Sequence, residues 1–234
     1  GLGTFVRKND IDCIVAFGEE GAAIALASKW VHKKPIICSL RTSWAAEKEN
    51  RKKRHFTAYG LYVVLSFFVY RYCDHVVSVT NEAGSEISDL LRLDKKKMTT
   101  IYNPIDRSEI RNSSLCVDED ALMTLNSRNI NLISVGRLTA EKGFDQFLDE
   151  FKLLKEYCRS YQWYILGDGP RRKTLIEKAI ELGVYDSVHF LGYVRNPHVW
   201  VRLSDCFVSP SRWEGGANAL VEAIFTGVPV VTTG

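Results

Sequence analysis

Short apolar runs alternate with longer segments of helical periodicity along most of the chain. The runs are rich in Val, Ile and aromatic residues on both faces, which is typical of parallel strands covered by helices. Nine strands are predicted, at residues 12–17, 35–40, 75–80, 99–102, 131–136, 162–167, 188–192, 205–210 and 228–232. Helices are predicted at residues 20–31, 57–72, 81–93, 144–157, 171–182, 197–203 and 217–225. This alternation predicts an α/β protein with doubly wound parallel sheets.

One polar segment, residues 107–129, interrupts this alternation. Its middle is acidic, and it lacks the apolar runs that precede and follow it. We interpret it as a linker with room for one short helix. The sequence therefore predicts two Rossmann-like domains, at residues 1–106 and 130–234.

The composition is that of an ordinary globular protein, with 46% hydrophobic and 25% charged residues among 234. It excludes wholesale disorder, a collagen-like fibre and a bare coiled coil. The net charge of +3 is lower than a dedicated nucleic-acid binder usually carries, so no nucleic-acid partner is expected. Six widely spaced cysteines without a Cys-x-x-Cys pair argue against a zinc site and a disulfide framework. We expect reduced thiols and a cytoplasmic protein.

Candidate chemistry is concentrated in SPSRWEGGANALVEAIFTGVPVVTTG, residues 209–234. A strand is predicted to end at Pro210, and Glu214 follows in a loop beside two glycines. The next helix carries Glu222 among apolar residues, where a buried carboxylate needs a partner. The alternative for Glu222 is a side chain that faces solvent. The N–H groups and dipole at the start of this helix suit a phosphate.

A second candidate stretch is NLISVGRLTAEKGF, residues 131–144. Arg137 and Lys142 follow the predicted end of a strand, which is where ligands bind in open α/β sheets. The alternative is a solvated loop in which these cations pair with Glu141. The turn GDGP at residues 167–170 also follows a strand, but a lone Gly-x-Gly is weak evidence for a site.

Together these stretches resemble a known family. VGRLTAEKG, ILGDGPRRKTLIEKAIELG, VHFLGYV and SPSRWEGGANALVEAIFTGVPVV occur in the order found in the donor-binding domain of the glycosyltransferase family 4 type (glycosyl transferases group 1). The resemblance implies the GT-B fold, with the nucleotide-sugar domain at residues 130–234. Residues 1–106, which end in IYNPID, resemble part of the acceptor-side domain. Both domains are expected to be incomplete, because the family's first strand with its Gly-rich loop and its last elements are not found.

The resemblance also assigns roles. Arg137 and Lys142 match the basic pair that holds the donor diphosphate, where they would stabilise the charge that grows on the leaving phosphate. Glu214 would contact hydroxyls of the donor sugar, and Glu222 would accept hydrogen bonds from the ribose hydroxyls. The expected catalytic residues are Arg137, Lys142 and Glu214. The two cations would do the work of a divalent metal, so no metal and no cofactor are expected.

Further donor contacts are implied by the same resemblance. The backbone N–H groups of Gly215, Gly216 and Ala217 would lie near the phosphate or the sugar. Tyr193 and Val194 would lie near the base. The sequence departs from the family in SLRTSW, where Arg41 stands at a place that often carries His, so we assign no acid or base.

The implied function is that of a retaining hexosyltransferase. It would move a sugar from a nucleotide-sugar donor to a glycan or lipid-linked acceptor in cell-surface polysaccharide synthesis. The alternatives are an inactive or binding-only fragment of such an enzyme, and a sugar-nucleotide epimerase with the same architecture. A Rossmann oxidoreductase is disfavoured because no Gly-x-Gly-x-x-Gly opens a helix.

A basic run, Arg51-Lys52-Lys53-Arg54, precedes the apolar stretch YGLYVVLSFFVY at residues 59–70. Twelve residues are too few to span a bilayer. A basic cluster beside such a helix fits peripheral attachment to an anionic membrane surface, here on the cytoplasmic face. The alternative is a buried core helix next to a solvated basic loop.

Overall fold

Within the residues that the structure describes, 1–41, 56–125, 128–158, 160–214 and 216–233, nine strands form two parallel sheets. Only the backbone is described for residues 56–63. This computed structural model divides into two compact units, Gly1–Asn103 with Glu214–Gly216, and Pro104–Trp213 with Ala217–Gly234. The predicted α/β class with parallel sheets is confirmed.

The first unit contains a four-stranded sheet with the order β1-β2-β3-β4. Its strands are β1 (Ile14–Phe17), β2 (Ile36–Leu40), β3 (His75–Ser78) and β4 (Met98–Thr100). Its helices are α1 (Leu2–Lys8), α2 (Gly18–Ala27), α3 (Lys29–His32), α4 (Phe56–Tyr72) and α5 (Asn81–Leu91), with a 3-10 turn at Lys95–Lys97. Each predicted strand is present, with ends that differ by at most two residues.

The core of the first unit forms where β2 meets α2 and α4. Ile36 and Cys38 of β2 are fully buried with Ala22 of α2 and Tyr70 of α4. The single helix predicted at residues 20–31 is divided into α2 and α3. It breaks at Ser28, whose hydroxyl donates to carbonyls of the preceding turn at 3.1 and 3.3 Å. Such side-chain bonds compete with helix continuation.

The second unit contains a five-stranded sheet with the order β7-β6-β5-β8-β9. Its strands are β5 (Ile130–Val135), β6 (Tyr161–Leu166), β7 (Val188–Gly192), β8 (Cys206–Ser209) and β9 (Val230–Thr232). Its helices are α6 (Arg107–Ser114), α7 (Glu119–Thr124), α8 (Phe144–Tyr157), α9 (Arg172–Glu181), α10 (Pro197–Leu203) and α11 (Asn218–Thr226). Short 3-10 turns lie at Ala140–Lys142 and Tyr185–Ser187.

Two apolar clusters fill the second unit, as the two-faced apolar strands predict. One joins α8 and α9 to Trp163 of β6, whose indole packs against Phe144 and Phe151. The other joins α7, α10 and α11 to the sheet and includes Trp200. The indole N–H of Trp163 donates to Ser134 Oγ at 3.0 Å, and that hydroxyl donates to the carbonyl of Val208 at 2.6 Å. This chain of bonds ties β6, β5 and β8 together.

The segment predicted as a linker with room for one short helix, residues 107–129, is instead part of the second unit. Its described residues contain two helices, α6 and α7, and both belong to the second unit. Each begins with an aspartate cap: Asp106 accepts from the backbone N–H of Glu109, and Asp118 from that of Ala121, both at 2.9 Å. Such caps supply the partners that the first turn of a helix lacks. Ala121 is fully buried, so α7 is part of the core.

Candidate functional site

The loops after β5 and β8 start from neighbouring strands of the second unit. From β5 the chain proceeds to β6 and β7 on one side, and later returns to β8 and β9 on the other. The carboxyl edge at this change of direction is where ligands bind in doubly wound sheets. Arg137 and Lys142 lie in the loop after β5, and the chain beyond β8 leads to Ala217 and Glu222.

Backbone contacts hold the loop after β5 against the loop after β6. The N–H of Leu138 donates to the carbonyl of Asp168, and the N–H of Arg171 donates to that of Leu138, both at 3.0 Å. Gly167 has φ +137°, and a Cβ there would lie 2.0 Å from the carbonyl oxygen of Gly136. A glycine is therefore required for the two loops to come this close.

The two predicted phosphate-binding cations flank a short acidic turn. The Arg137 side chain is 78% exposed, and its Nη2 lies 3.6 Å from Glu141 Oε1. Lys142 lies along Gly136, since a Cβ built there would be 3.3 Å from Lys142 Cε. Burial raises the pKa of Glu141, but the hydroxyl of Thr139 at 2.6 Å and the charges of Arg137 and Lys142 outweigh it and lower that pKa. Of the predicted pairs with Glu141, the structure gives the one with Arg137, which joins an exposed guanidinium to a carboxylate that is only 23% exposed.

The loops after β5 and β8 are in direct contact. Gly143 has φ +65°, and a Cβ there would lie 1.9 Å from the carbonyl oxygen of Pro210. The N–H of Arg212 donates to the carbonyl of Glu141 at 2.8 Å. The position of the cation-bearing turn is therefore fixed by the loop that leads to Glu214.

A charged cluster that the sequence analysis missed secures this contact. Arg212 donates two hydrogen bonds of 2.9 Å to the carboxylate of Asp145 at the start of α8. Arg171 approaches the same carboxylate at 3.3 Å. Burial raises the pKa of Asp145, but the hydrogen bonds from Arg212 and the charges of both arginines outweigh it and lower that pKa. No local spacing connects residues so distant in sequence.

The residues after Trp213 fall in both units. Glu214 and Gly216 group with the first unit, where a Cβ on Gly216 would lie 2.8 Å from Asn103 Nδ2. Ala217 groups with the second unit and occupies the N-cap position of α11. Gly215, for which a phosphate or sugar contact is predicted, lies outside the described residues.

Glu222 lies on α11 and is neither fully buried nor free in solvent. Its side chain is 34% exposed, and its Oε2 lies 3.3 Å from Nε2 of His198 on α10. The expectation that a carboxylate in this apolar helix needs a partner is met by His198, to which the sequence analysis gave no role.

The loop after β7 borders a cavity of about 600 Å³ in the second unit. Tyr193, Arg195 and Asn196 line one side, and Trp200 and Asp118 line another. Tyr193, predicted to lie near the base, is highly exposed. The cavity therefore offers an aromatic ring and polar groups beside the carboxyl end of β7.

Arg41, which stands where the resemblance expects a histidine, follows β2 in the first unit. Its guanidinium lies 5.6 Å from the centre of the Phe17 ring, at the carboxyl end of β1. Both residues therefore lie at the same edge of the first sheet, where side chains are placed for ligands.

No group of three potential metal ligands occurs in the part of the chain that the structure describes. Asp118 and Asp120 have Asp-x-Asp spacing, but the two carboxylate oxygens of Asp118 accept hydrogen bonds from the N–H of Ala121 and the indole of Trp200. Among the described helices, none has the length and apolar character needed to cross a membrane. The basic run Arg51-Lys52-Lys53-Arg54 lies outside the described residues.

Comparison with known proteins finds relatives among glycosyltransferases. The chain is 23% identical over 232 residues to 2-deoxystreptamine N-acetyl-D-glucosaminyltransferase of Niallia circulans, a match that covers 97% of this chain and 59% of that enzyme. It is 30% identical over 169 residues to the lipopolysaccharide core biosynthesis glycosyltransferase LpsE of Rhizobium meliloti, covering 72% of this chain and 46% of that protein. The chain thus spans about half the length of these curated relatives.

Solved structures show the same architecture. Anabaena Alr3699/HepE in complex with UDP-glucose superposes with a TM-score of 0.79 at 18% identity, covering 99% of this chain and 61% of that chain. WaaG, a glycosyltransferase involved in lipopolysaccharide biosynthesis, gives a TM-score of 0.74 at 18% identity, covering 99% of this chain and 62% of that chain. At this identity the likeness concerns the fold.

Two family models match adjoining parts of the sequence. The model described as Glycosyltransferase Family 4 matches residues 2–109, and the model described as Glycosyl transferases group 1 matches residues 123–234. Together they cover the first unit and nearly all of the second. The chain therefore belongs to the glycosyltransferases of the family 4 type, whose fold is GT-B.

Proposed function

We propose that this chain carries the donor site of a retaining hexosyltransferase in cell-surface polysaccharide synthesis. The enzyme would move a sugar from a nucleotide-sugar donor to a glycan or lipid-linked acceptor. The observation that carries the proposal is the placement of Arg137 and Lys142 at the change of strand order in the second sheet. Support comes from the relatives in lipopolysaccharide synthesis and from the complexes of HepE with UDP and UDP-glucose.

The phosphate chemistry rests on positive charge. Breaking the bond between the anomeric carbon and the diphosphate leaves negative charge on the phosphate oxygens. Arg137, largely exposed, and Lys142 would bind those oxygens and stabilise the transition state more than the ground state. The backbone N–H groups in the first turn of α11, after Ala217, would add a positive dipole end. With these charges in place, the transfer needs no divalent metal and no other cofactor.

The rest of the donor would be held by glutamates and loops. Glu222 would accept hydrogen bonds from the ribose, and Glu214 would bind hydroxyls of the sugar. The backbone at Gly216 and Ala217 would lie close to the sugar and phosphate. The base would occupy the cavity beside Tyr193 and Val194, where the exposed ring can stack on it.

Calorimetric titration of the 234-residue chain tests donor binding. UDP-glucose, GDP-mannose and NAD⁺ would be titrated in EDTA and again with Mg²⁺. We expect one of the two sugar nucleotides to bind equally well in both buffers, and Arg137→Ala to weaken that binding by about 10-fold or more. Lys173→Ala is the matched control, since Lys173 is an exposed cation of the same unit on α9. Binding of NAD⁺ alone, or binding only with Mg²⁺, contradicts the proposal.

Retention of the anomeric configuration of the sugar can be tested without knowing the acceptor. Slow hydrolysis of an α-linked sugar nucleotide releases a free sugar, whose first anomer is visible by NMR before it equilibrates. Retention predicts that the α anomer appears first, and that Arg137→Ala slows its release by about 100-fold. Early appearance of the β anomer would show inversion.

We also propose that the first unit attaches to an anionic membrane surface. Trp30, 81% exposed, lies with Phe68 and Tyr72 along an apolar groove between α3 and α4. Lys29 and Lys33 line the same groove. Exposed aromatic rings beside cations match the interface of an anionic bilayer, where rings enter the headgroup region.

Vesicle sedimentation tests this attachment. We expect the chain to pellet with phosphatidylserine-containing vesicles at low salt and less so with purely phosphatidylcholine vesicles. Trp30→Ala with Phe68→Ser should reduce pelleting, while Tyr157→Ala, which removes an exposed ring from the second unit, should not. Equal pelleting by both variants would contradict the proposal that this groove contacts the membrane.

A further inference from the structure

A line of polar side chains joins three helices within the second unit. Ser113 Oγ of α6 lies 2.7 Å from Nδ1 of His198 on α10, and Nε2 of the same ring lies 3.3 Å from Oε2 of Glu222 on α11. These residues are separated by 85 and 24 positions in the sequence. The fold, and no local motif, brings them together.

The line is half-buried and firmly supported. The His198 side chain is 18% exposed. Asn196 donates to the carbonyl of Ser113 at 2.9 Å, and Arg202 donates to that of Ser114 at 2.8 Å. These bonds tie both ends of α10 to the last turn of α6, so Ser113 is held at a fixed distance from His198.

The chemistry of the groups fixes the direction of the hydrogen bonds. An ionised Glu222 carboxylate only accepts, so Nε2 of His198 must carry the proton that points to it. Nδ1 can then either accept from the Ser113 hydroxyl or donate to it. The hydroxyl can serve both states, because it also lies 3.1 Å from the carbonyl of Ile110 and can donate there instead. Ser113 thereby keeps the ring oriented toward Glu222 in both of its protonation states.

The consequence concerns how Glu222 is presented to a ligand. A glutamate side chain on a helix surface has several rotamers, and ordering it on binding opposes association. The bond from His198 occupies Oε2 and limits those rotamers before the ligand arrives. The carboxylate is then pre-organised, with its remaining lone pairs available for other donors.

We propose that His198 is a positioning residue for nucleotide recognition, which holds Glu222 in the orientation that accepts the ribose hydroxyls. The inference rests on the proposed function, because it takes Glu222 as the ribose contact. It goes further by assigning ribose selectivity to a residue that does not touch the donor, and by giving Ser113 the task of orienting the ring. Such pre-organisation by a supporting side chain is a recurrent device at binding sites.

The test compares ribose with a sugar that lacks both hydroxyls. UDP and GDP, and the 2′,3′-dideoxy form of each, would be titrated by calorimetry into the 234-residue chain. For the base that binds, the ratio of the dideoxy to the ribose dissociation constant measures what the hydroxyls contribute. We expect a ratio of about 10 or more for the wild-type chain, and a ratio near 1 for Glu222→Ala.

Variants of His198 then separate positioning from folding. His198→Leu removes both ring nitrogens and should lower the ratio by about 3- to 10-fold. His198→Gln keeps an N–H that reaches Glu222 and should retain most of the ratio. Ser113→Ala should give an intermediate ratio. His189→Gln is the control, since His189 is another histidine of this unit, bonded at 2.8 Å to Gln162 on β6.

The outcomes distinguish the inference from its premise. If the wild-type chain binds neither UDP nor GDP, or shows a ratio near 1, the proposed donor site and the inference fail together. If Glu222→Ala loses the ratio but His198→Leu keeps it, the inference alone fails. An equal weakening of ribose and dideoxy nucleotides by His198→Leu shows a merely structural role and also overturns it. Loss of the ratio in His198→Leu with recovery in His198→Gln supports it.

Discussion

Replacing Arg212 with alanine should destabilise the second unit, because Arg212 joins the loop after β8 to α8. The variant loses two hydrogen bonds of 2.9 Å to the Asp145 carboxylate and a further one from the same guanidinium to the carbonyl of Ala140. A hydrogen bond to a charged group contributes about 1.5–3 kcal/mol. The two side chains are 24% and 21% exposed, and Asp145 keeps Arg171 at 3.3 Å, so the lower end applies. We expect a loss of about 2–3 kcal/mol in the free energy of unfolding.

Urea unfolding followed by tryptophan fluorescence and circular dichroism measures this loss. For a unit of this size about 4 °C is lost per kcal/mol, so the melting temperature should fall by about 8–12 °C. Arg212→Lys keeps the charge without the two-pronged geometry and should lie between wild type and alanine. The control is Lys173→Ala, which breaks an exposed pair with Glu177 and should change stability by less than about 0.5 kcal/mol.

The same variant has a defined pH dependence. The Arg212 hydrogen bonds and the nearby arginine charges outweigh the opposing effect of burial and lower the pKa of Asp145 below its ordinary value of 3.8. A depressed folded pKa contributes stability above the unfolded value, and this contribution is lost as pH falls through the folded pKa. The advantage of wild type over Arg212→Ala should therefore be largest at pH 7 and become smaller as the pH falls below 3.8 through the folded pKa of Asp145. A constant advantage across this range, or a value equal to the Lys173→Ala control, would refute the reasoning.

Three further variants or treatments test other parts of the structure. Gly143→Ala should destabilise the second unit by at least about 2 kcal/mol, because the left-handed backbone is strained for alanine and the new Cβ meets a carbonyl of the β8 loop; a melting temperature equal to wild type would contradict the close approach. Trp163→Phe should lose about 1–2 kcal/mol, because the serine hydroxyl on β5 loses its indole donor; urea unfolding measures this, and an unchanged midpoint would argue against the bond. Burial raises the pKa of Cys38 and raises that of Cys73 to about 11. Iodoacetamide at pH 8 should therefore modify the exposed Cys116 well before either, which peptide mass spectrometry can check, and early labelling of Cys38 would contradict its burial.

The strands were predictable because their sequences carry the information locally. Runs such as 162–167 are apolar on both faces, and the structure buries them between two layers. The helices of residues 107–124 were harder to predict, because their apolar content is low and only a few side chains are buried. Each helix begins at a single aspartate cap, Asp106 or Asp118. One capping residue in a polar segment is a weak signal, and the composition of the segment does not reveal it.

The candidate site also has a part that the sequence predicts and a part that it does not. Arg137, Lys142, Glu214 and Glu222 follow from motifs with a fixed spacing in the sequence. The partners that hold the site do not, because Asp145 and Arg212 are 67 positions apart and are brought together by strand order. The role of His198 was not predictable for the same reason, since the residues next to it in the sequence give no sign that Glu222 on the following helix is its partner.

The strand order of the second sheet has a consequence for synthesis of the chain. The neighbour of β5 on one side is β6, but on the other side it is β8, whose paired residues Cys206 and Phe207 come 74 positions later. Until the ribosome has delivered that segment, one edge of β5 stays open to wrong pairing. The carboxyl edge at which we propose that a nucleotide binds is complete only once this late, non-local pairing closes the sheet. A nucleotide bound at the proposed site would therefore stabilise only chains in which this unit has already folded.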